Sequence, residues 1–76
     1  MSYLKCASEK ALGNRVAEAR KKHPEWGHGP GHAISVLKLE LAELEHARTY
    51  EGEARLRDEA LDVAAVAMRI YEGDWK

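Results

Sequence analysis

Apolar residues recur along this chain at helical rather than strand spacing. Ile34, Leu37, Leu41 and Leu44 occupy the i, i+3, i+7 and i+10 positions of a buried stripe, which predicts a helix over 32–50. A further helix is predicted over 53–72, with Leu56, Val63, Val66 and Ile70 on one side and Leu61, Ala64, Ala65 and Met68 on the opposite side. A helix that is apolar on two sides has to be covered twice. Upstream, 2–22 is rich in Ala, Lys, Glu and Arg and lacks proline. Leu4, Ser8, Ala11, Leu12, Arg15 and Ala19 recur there near helical spacing, interrupted by nothing stronger than Gly13. Between the first two helices, 23–31 holds both prolines and three of the six glycines, so it reads as a loop, and Gly52 reads as a stop or kink.

The pattern predicts an all-α fold in a single domain spanning 1–76, an antiparallel helical hairpin preceded by an N-terminal helix. A chain of 76 residues buries a smaller fraction of its surface than an average domain. The second apolar side of the third helix is therefore expected to form a subunit interface, giving a homodimer or homotetramer built as an oligomeric helical bundle.

Charge narrows the range of partners. Twelve Lys and Arg against 13 Asp and Glu leave a formal charge of −1, which removes the electrostatic reason to expect a nucleic acid polymer or an anionic membrane. No apolar run approaches the ~20 residues of a membrane helix, and the first residues lack the apolar core of a secretion signal, so the expected location is the cytoplasm. The single cysteine, Cys6, has no internal disulfide partner and reads as an incidental thiol.

The acids carry the candidate chemistry. On a helical wheel of ~100° per residue, Glu40 and Glu43 fall within the arc of Ala33, Val36, Leu37, Leu39, Leu41, Leu44 and Ala47. Glu59 falls between Val66 and Ile70, and Asp62 lies at the stripe's edge beside Arg55 and Arg69. Core-facing carboxylates need a cation, a hydrogen-bond network or a raised pKa. Two i, i+3 pairs on antiparallel neighbours place four carboxylates where they can converge, and an all-oxygen site favours Mg²⁺, Mn²⁺ or Ca²⁺ over zinc. The plainer alternative leaves these acids as ordinary helix charges partnered by Lys38, Arg48, Arg55 or Arg69.

Glu40-x-x-Glu43 followed by Glu59-x-x-Asp62 resembles the metal signature of the MazG-like all-α nucleotide pyrophosphohydrolases. The likeness covers 26–71 and includes Trp26-Gly27 before the second helix, the run from Leu37 to Ala47, and Asp58-Glu59-Ala60-Leu61-Asp62-Val63. Leu39 stands where the family usually has a second, adjacent glutamate. The resemblance implies hydrolysis of a nucleoside triphosphate to the monophosphate and pyrophosphate, with Mg²⁺, or Mn²⁺, held by Glu40, Glu43, Glu59 and Asp62. Glu40 or Glu43 would then be the catalytic base. Lys38, Arg48, Arg55 and Arg69 are the candidate phosphate contacts. Trp26 is either a base-stacking platform or a core plug.

Two other readings compete. Glu43-x-x-His46 has the spacing of carboxylate-bridged di-iron bundles, with Glu59 as the additional carboxylate. The chain also fits a non-catalytic helical module that binds nucleotide or a partner. His23, His28 and His32 match no closed zinc pattern and are expected to be exposed loop residues.

Overall fold

The computed structural model describes residues 2–24, 26 and 28–76, with side chains from residue 7 onward. It contains α1 (Ser2–Lys22), α2 (Gly29–Tyr50) and α3 (Gly52–Tyr71), with no strand among the described residues. Gly27 and the side chains of Leu4 and Cys6, on which the sequence pattern also drew, lie outside the described residues.

The first helix has the bounds its composition predicts, and its last turn carries Arg20, Lys21 and Lys22, which complement the negative end of the helix dipole. The second begins three residues earlier than expected, so residues 29–31 are helical and not part of the loop. Pro30 lies in the first turn, where a fixed φ suits the helix and no N–H is needed. Glu51 alone separates α2 from α3, and its N–H donates to the Ala47 carbonyl at 3.0 Å. Gly52, at φ 83°, adopts the left-handed conformation that reverses the chain, and any side chain there would be strained. A connection this short makes α2 and α3 an antiparallel hairpin. The chain end accordingly returns to the start of α2, where Gly29 N–H donates to the Trp75 carbonyl at 3.1 Å.

The third helix is central. It packs on α2 and on α1, whereas α1 and α2 do not pack on one another among the described residues. Its two apolar sides are thus both used within one chain. Trp26, Ala33 and Val66 form a buried cluster with Val36, Leu37, Ile70 and Trp75 against it. On the other side Val16 is buried, and Leu12, Val16 and Met68 border one groove between α1 and α3. Apolar surface remains uncovered at Ile34, Leu39, Leu41, Tyr50 and Tyr71. No helix is long and apolar enough to cross a membrane.

A polar latch joins the chain's end to the α1–α2 connection. Arg69 is only 3% exposed. Its Nε donates to Asp74 at 2.8 Å and its Nη2 donates to the His23 carbonyl at 2.8 Å. The guanidinium also covers the Trp26 ring at 4.5 Å. Asp74 accepts a second guanidinium, that of Arg20, with Nε at 2.8 Å. These cations hold the Asp74 carboxyl below its usual range, Arg20 by the larger effect.

Replacing Arg69 with Met keeps most of the packing but removes one of the two guanidiniums on Asp74 and the donor to the His23 carbonyl, so Arg69→Met is expected to destabilise the fold by about 2 kcal/mol in urea denaturation. Arg20→Ala, on the exposed arm of the same carboxylate, is expected to cost clearly less.

Candidate metal centre

The hairpin itself explains why acids from two helices meet. Glu43 and Glu59 stand the same number of residues from Glu51 on either side, as do Glu40 and Asp62, so an antiparallel return places them at matching heights. One carboxylate oxygen from each of Glu40, Glu43 and Glu59 lies within 4.8 Å of the other two, and Asp58, Glu59 and Asp62 form a second such group. Glu59 belongs to both. Asp62 is absent from the first group but close enough for its charge to act on Glu40 and Glu59.

Burial makes this crowding costly. Glu59 is 5% exposed; one of its oxygens accepts from Arg55 Nη2, while Oε2 is buried with no hydrogen-bond partner. Burial raises its pKa, Arg55 opposes the shift, and Asp62 and Glu43 add to it. Glu40 is half-buried, and burial followed by repulsion from Glu43 and Asp62 pushes its pKa from 4.5 up to about 7. A desolvated oxygen without a donor, among carboxylates that repel one another, is a fitting environment for a hard cation. No His or Cys joins either group among the described residues, so the donor set is all oxygen.

Two guanidiniums stand against the five carboxylates. Arg55 contacts Glu59 and places Nη1 3.1 Å from Asp58. Arg15, from α1, places Nη2 2.7 Å from Asp58 and donates from Nη1 to Asp62. These bonds, Asp58 first, raise the Arg15 pKa and hold Asp58 below the usual carboxylate range. Arg15 and Asp58 were not among the expected site residues. The available signal was Arg15 itself, a cation on the otherwise mostly apolar and small-residue stripe of the first helix.

Because α1 and α2 do not pack on one another among the described residues, a cleft of about 380 Å³ opens beside the acids. Glu40, Asp62 and Arg15 border its polar part; Trp26, Val36 and Val66 border its apolar part. A smaller lobe adds Glu43, Lys22 and Glu18. Of the expected phosphate contacts, Lys38, Arg48 and Arg55 line neither lobe. Lys38 is exposed, and Arg48 pairs with Glu45 at 3.5 Å beside a separate groove of Leu44 and Leu56. Arg69 borders the cleft but is committed to the latch, and one indole face of Trp26 is taken by that guanidinium. The cations facing the cleft come instead from α1, Arg15 and Lys22, with the His23 that follows beside them.

His46 does not join the acids. It is exposed, with its ring 4.9 Å from that of Tyr50. His23, His28 and His32 are exposed as expected, although His32 is helical, and the rings of His28 and His32 meet edge to face at 5.0 Å.

The raised and lowered carboxyls act on stability in opposite directions. For Glu40, the folded protein binds more protons than the unfolded chain between pH 4.5 and about 7, so stability falls as pH rises through that window and is level above it. For Asp58 and Asp74, stability is complete above the unfolded value of 3.8 and is lost as pH falls below it. Metal-free protein is expected to show its highest melting temperature between these windows. Added Mg²⁺ is expected to raise that temperature at about pH 8 and far less at about pH 5, where protons compete for the same oxygens. Differential scanning calorimetry with and without chelator checks both.

In comparisons with known proteins, no family model, no curated protein and no solved structure matches the chain.

Proposed function

We propose that this protein binds Mg²⁺, or Mn²⁺, on Glu40, Glu43, Glu59 and Asp62, and hydrolyses nucleoside triphosphates to the monophosphate and pyrophosphate. The observation that carries the cation site is the buried Oε2 of Glu59, which has no donor and sits among other acids beside an open cleft. The step from cation to nucleotide rests on the resemblance of Glu40-x-x-Glu43 and Glu59-x-x-Asp62 to the MazG-like signature, together with the cleft's division into an acidic and an apolar part.

The bound ion supplies positive charge against phosphate oxygens and orients the attacking water. Glu59, anchored by Arg55 and packed against the core, fixes the position of the donor set. Glu40 has the most strongly raised carboxyl of the group and borders the cleft, so its oxygens are placed to accept the water's proton; Glu43 is the neighbouring alternative. Val36, Val66 and Trp26 offer the apolar wall for a base, and Arg15, Lys22 and His23 face the triphosphate. Uncovered Ile34, Leu39, Leu41, Tyr50 and Tyr71 support assembly as a homodimer or homotetramer, in which a second copy would help wall the cleft.

Two experiments test this reading. In the first, a panel of ribo- and deoxynucleoside triphosphates is incubated with protein and Mg²⁺. Monophosphate and pyrophosphate are expected, and both are expected to disappear with chelator or in Glu43→Ala. Cation binding without turnover would instead favour the non-catalytic module. In the second, Glu59→Gln keeps the shape and the Arg55 contact while removing the charge. It is expected to raise the metal-free melting temperature at about pH 8 and to weaken Mg²⁺ binding by about tenfold or more in calorimetric titration. Unchanged Mg²⁺ affinity would sink the proposed site.

A further inference from the structure

Arg15 stands apart from the other cations near the acids. Arg55 reaches them from its own helix, whereas Arg15 crosses from α1 to α3 and borders both lobes of the cleft. Its guanidinium is forked between Asp58 and Asp62, with Nη2 2.7 Å from Asp58 and Nη1 on Asp62. Only Asp62 belongs to the proposed cation ligands. The side chains of Arg15 and Asp62 are 24% and 31% exposed, so the pair is sheltered yet reachable from the cleft.

A divalent ion drawn to Glu40, Glu43 and the donorless Glu59 oxygen must compete with Arg15 for Asp62. Coulomb repulsion between the ion and the guanidinium makes sharing that carboxylate unfavourable. Asp58 still holds the other arm of the fork, so Arg15 is retained at the cleft wall with N–H donors released. A planar guanidinium so placed matches an anionic phosphoryl oxygen.

We infer that Arg15 is an exchangeable counter-ion: it neutralises Asp62 in the cation-free protein, and when a divalent ion takes Asp62 it stays on Asp58 and turns its freed donors to a phosphate group in the cleft. This rests on the four-acid cation site proposed above. It explains how a site with strong mutual repulsion persists without its ion, and it couples ion binding to the appearance of a phosphate contact.

The test is calorimetric titration of wild type, Arg15→Gln and Arg15→Lys with Mg²⁺ alone, then with tripolyphosphate in the presence of Mg²⁺, with helical content followed by circular dichroism. Arg15→Gln is expected to bind Mg²⁺ about three- to tenfold more tightly, because its competitor is gone, and tripolyphosphate about tenfold more weakly. Arg15→Lys, which keeps the charge but not the fork, is expected to lie between, and it decides the matter if Arg15→Gln fails to fold. A merely structural arginine would weaken both ligands together, and that result, or unchanged affinities, overturns the inference while leaving the cation site standing. If wild type is silent towards Mg²⁺ but Arg15→Gln binds it, Arg15 blocks the acids without exchanging, which overturns the inference and the enzyme reading together. Silence in all three overturns both.

Discussion

Repulsion among carboxylates forced together by a tight hairpin is the constraint on which the rest of the molecule depends. The turn at Glu51 and Gly52 sets the α2–α3 register, and that register brings Glu40 and Glu43 against Glu59 and Asp62. Water screens little of this charge at Glu59, whose Oε2 has no donor. The structure meets the cost with two guanidiniums, which engage Asp58, Asp62 and one oxygen of Glu59, and by holding Glu40 partly protonated near neutrality. What remains uncompensated is the space between Glu40, Glu43 and Glu59, whose oxygens could hold a metal ion.

Helix packing gives that space an entrance. Had α1 lain across α2 as well as α3, the acids would be sealed in a three-helix core. Instead, among the described residues, α3 packs on both while they do not pack on one another, and the gap between them is the cleft. The far end of the gap is fixed by the latch of Arg69, Asp74 and Arg20, which ties the end of α1, the residues after it and the chain's last turn into one unit. Arg69 and Trp26 therefore set the shape of the cleft through packing and hydrogen bonds, while Arg15 and Lys22 of α1 border it.

Much of the fold was legible because helices announce themselves locally. Hydrophobic spacing located all three, and the only sizeable boundary error fell at residues 29–31, where two glycines and a proline looked like loop. Pro30 is tolerated in a first turn because that turn needs no N–H from it, so the breaker marks the helix start. Glu40, Glu43 and Glu59 were legible too, since an acid on an apolar arc is anomalous in any helix. The expectation of a partner subunit on the second apolar side of α3 weighed too lightly the option that α1 would lie there, as Val16 and Met68 show.

Cations were the least legible part. Lys38 and Arg48 lie close to the acids in sequence but line neither lobe of the cleft, while Arg15 reaches Asp58 and Asp62 from a different helix. Ion pairing across helices depends on which faces meet, and periodicity does not contain that information. The sequence by itself determined three helices, the hairpin and the anomalous acids, because each follows from spacing within one segment or across one short turn. Only the tertiary structure decided that α1 docks on α3 and not on α2, that Arg15 rather than a neighbouring lysine balances the acids, and that Arg69 is buried in a latch. Those outcomes depend on contacts between segments far apart in the chain, which form only when the helices pack.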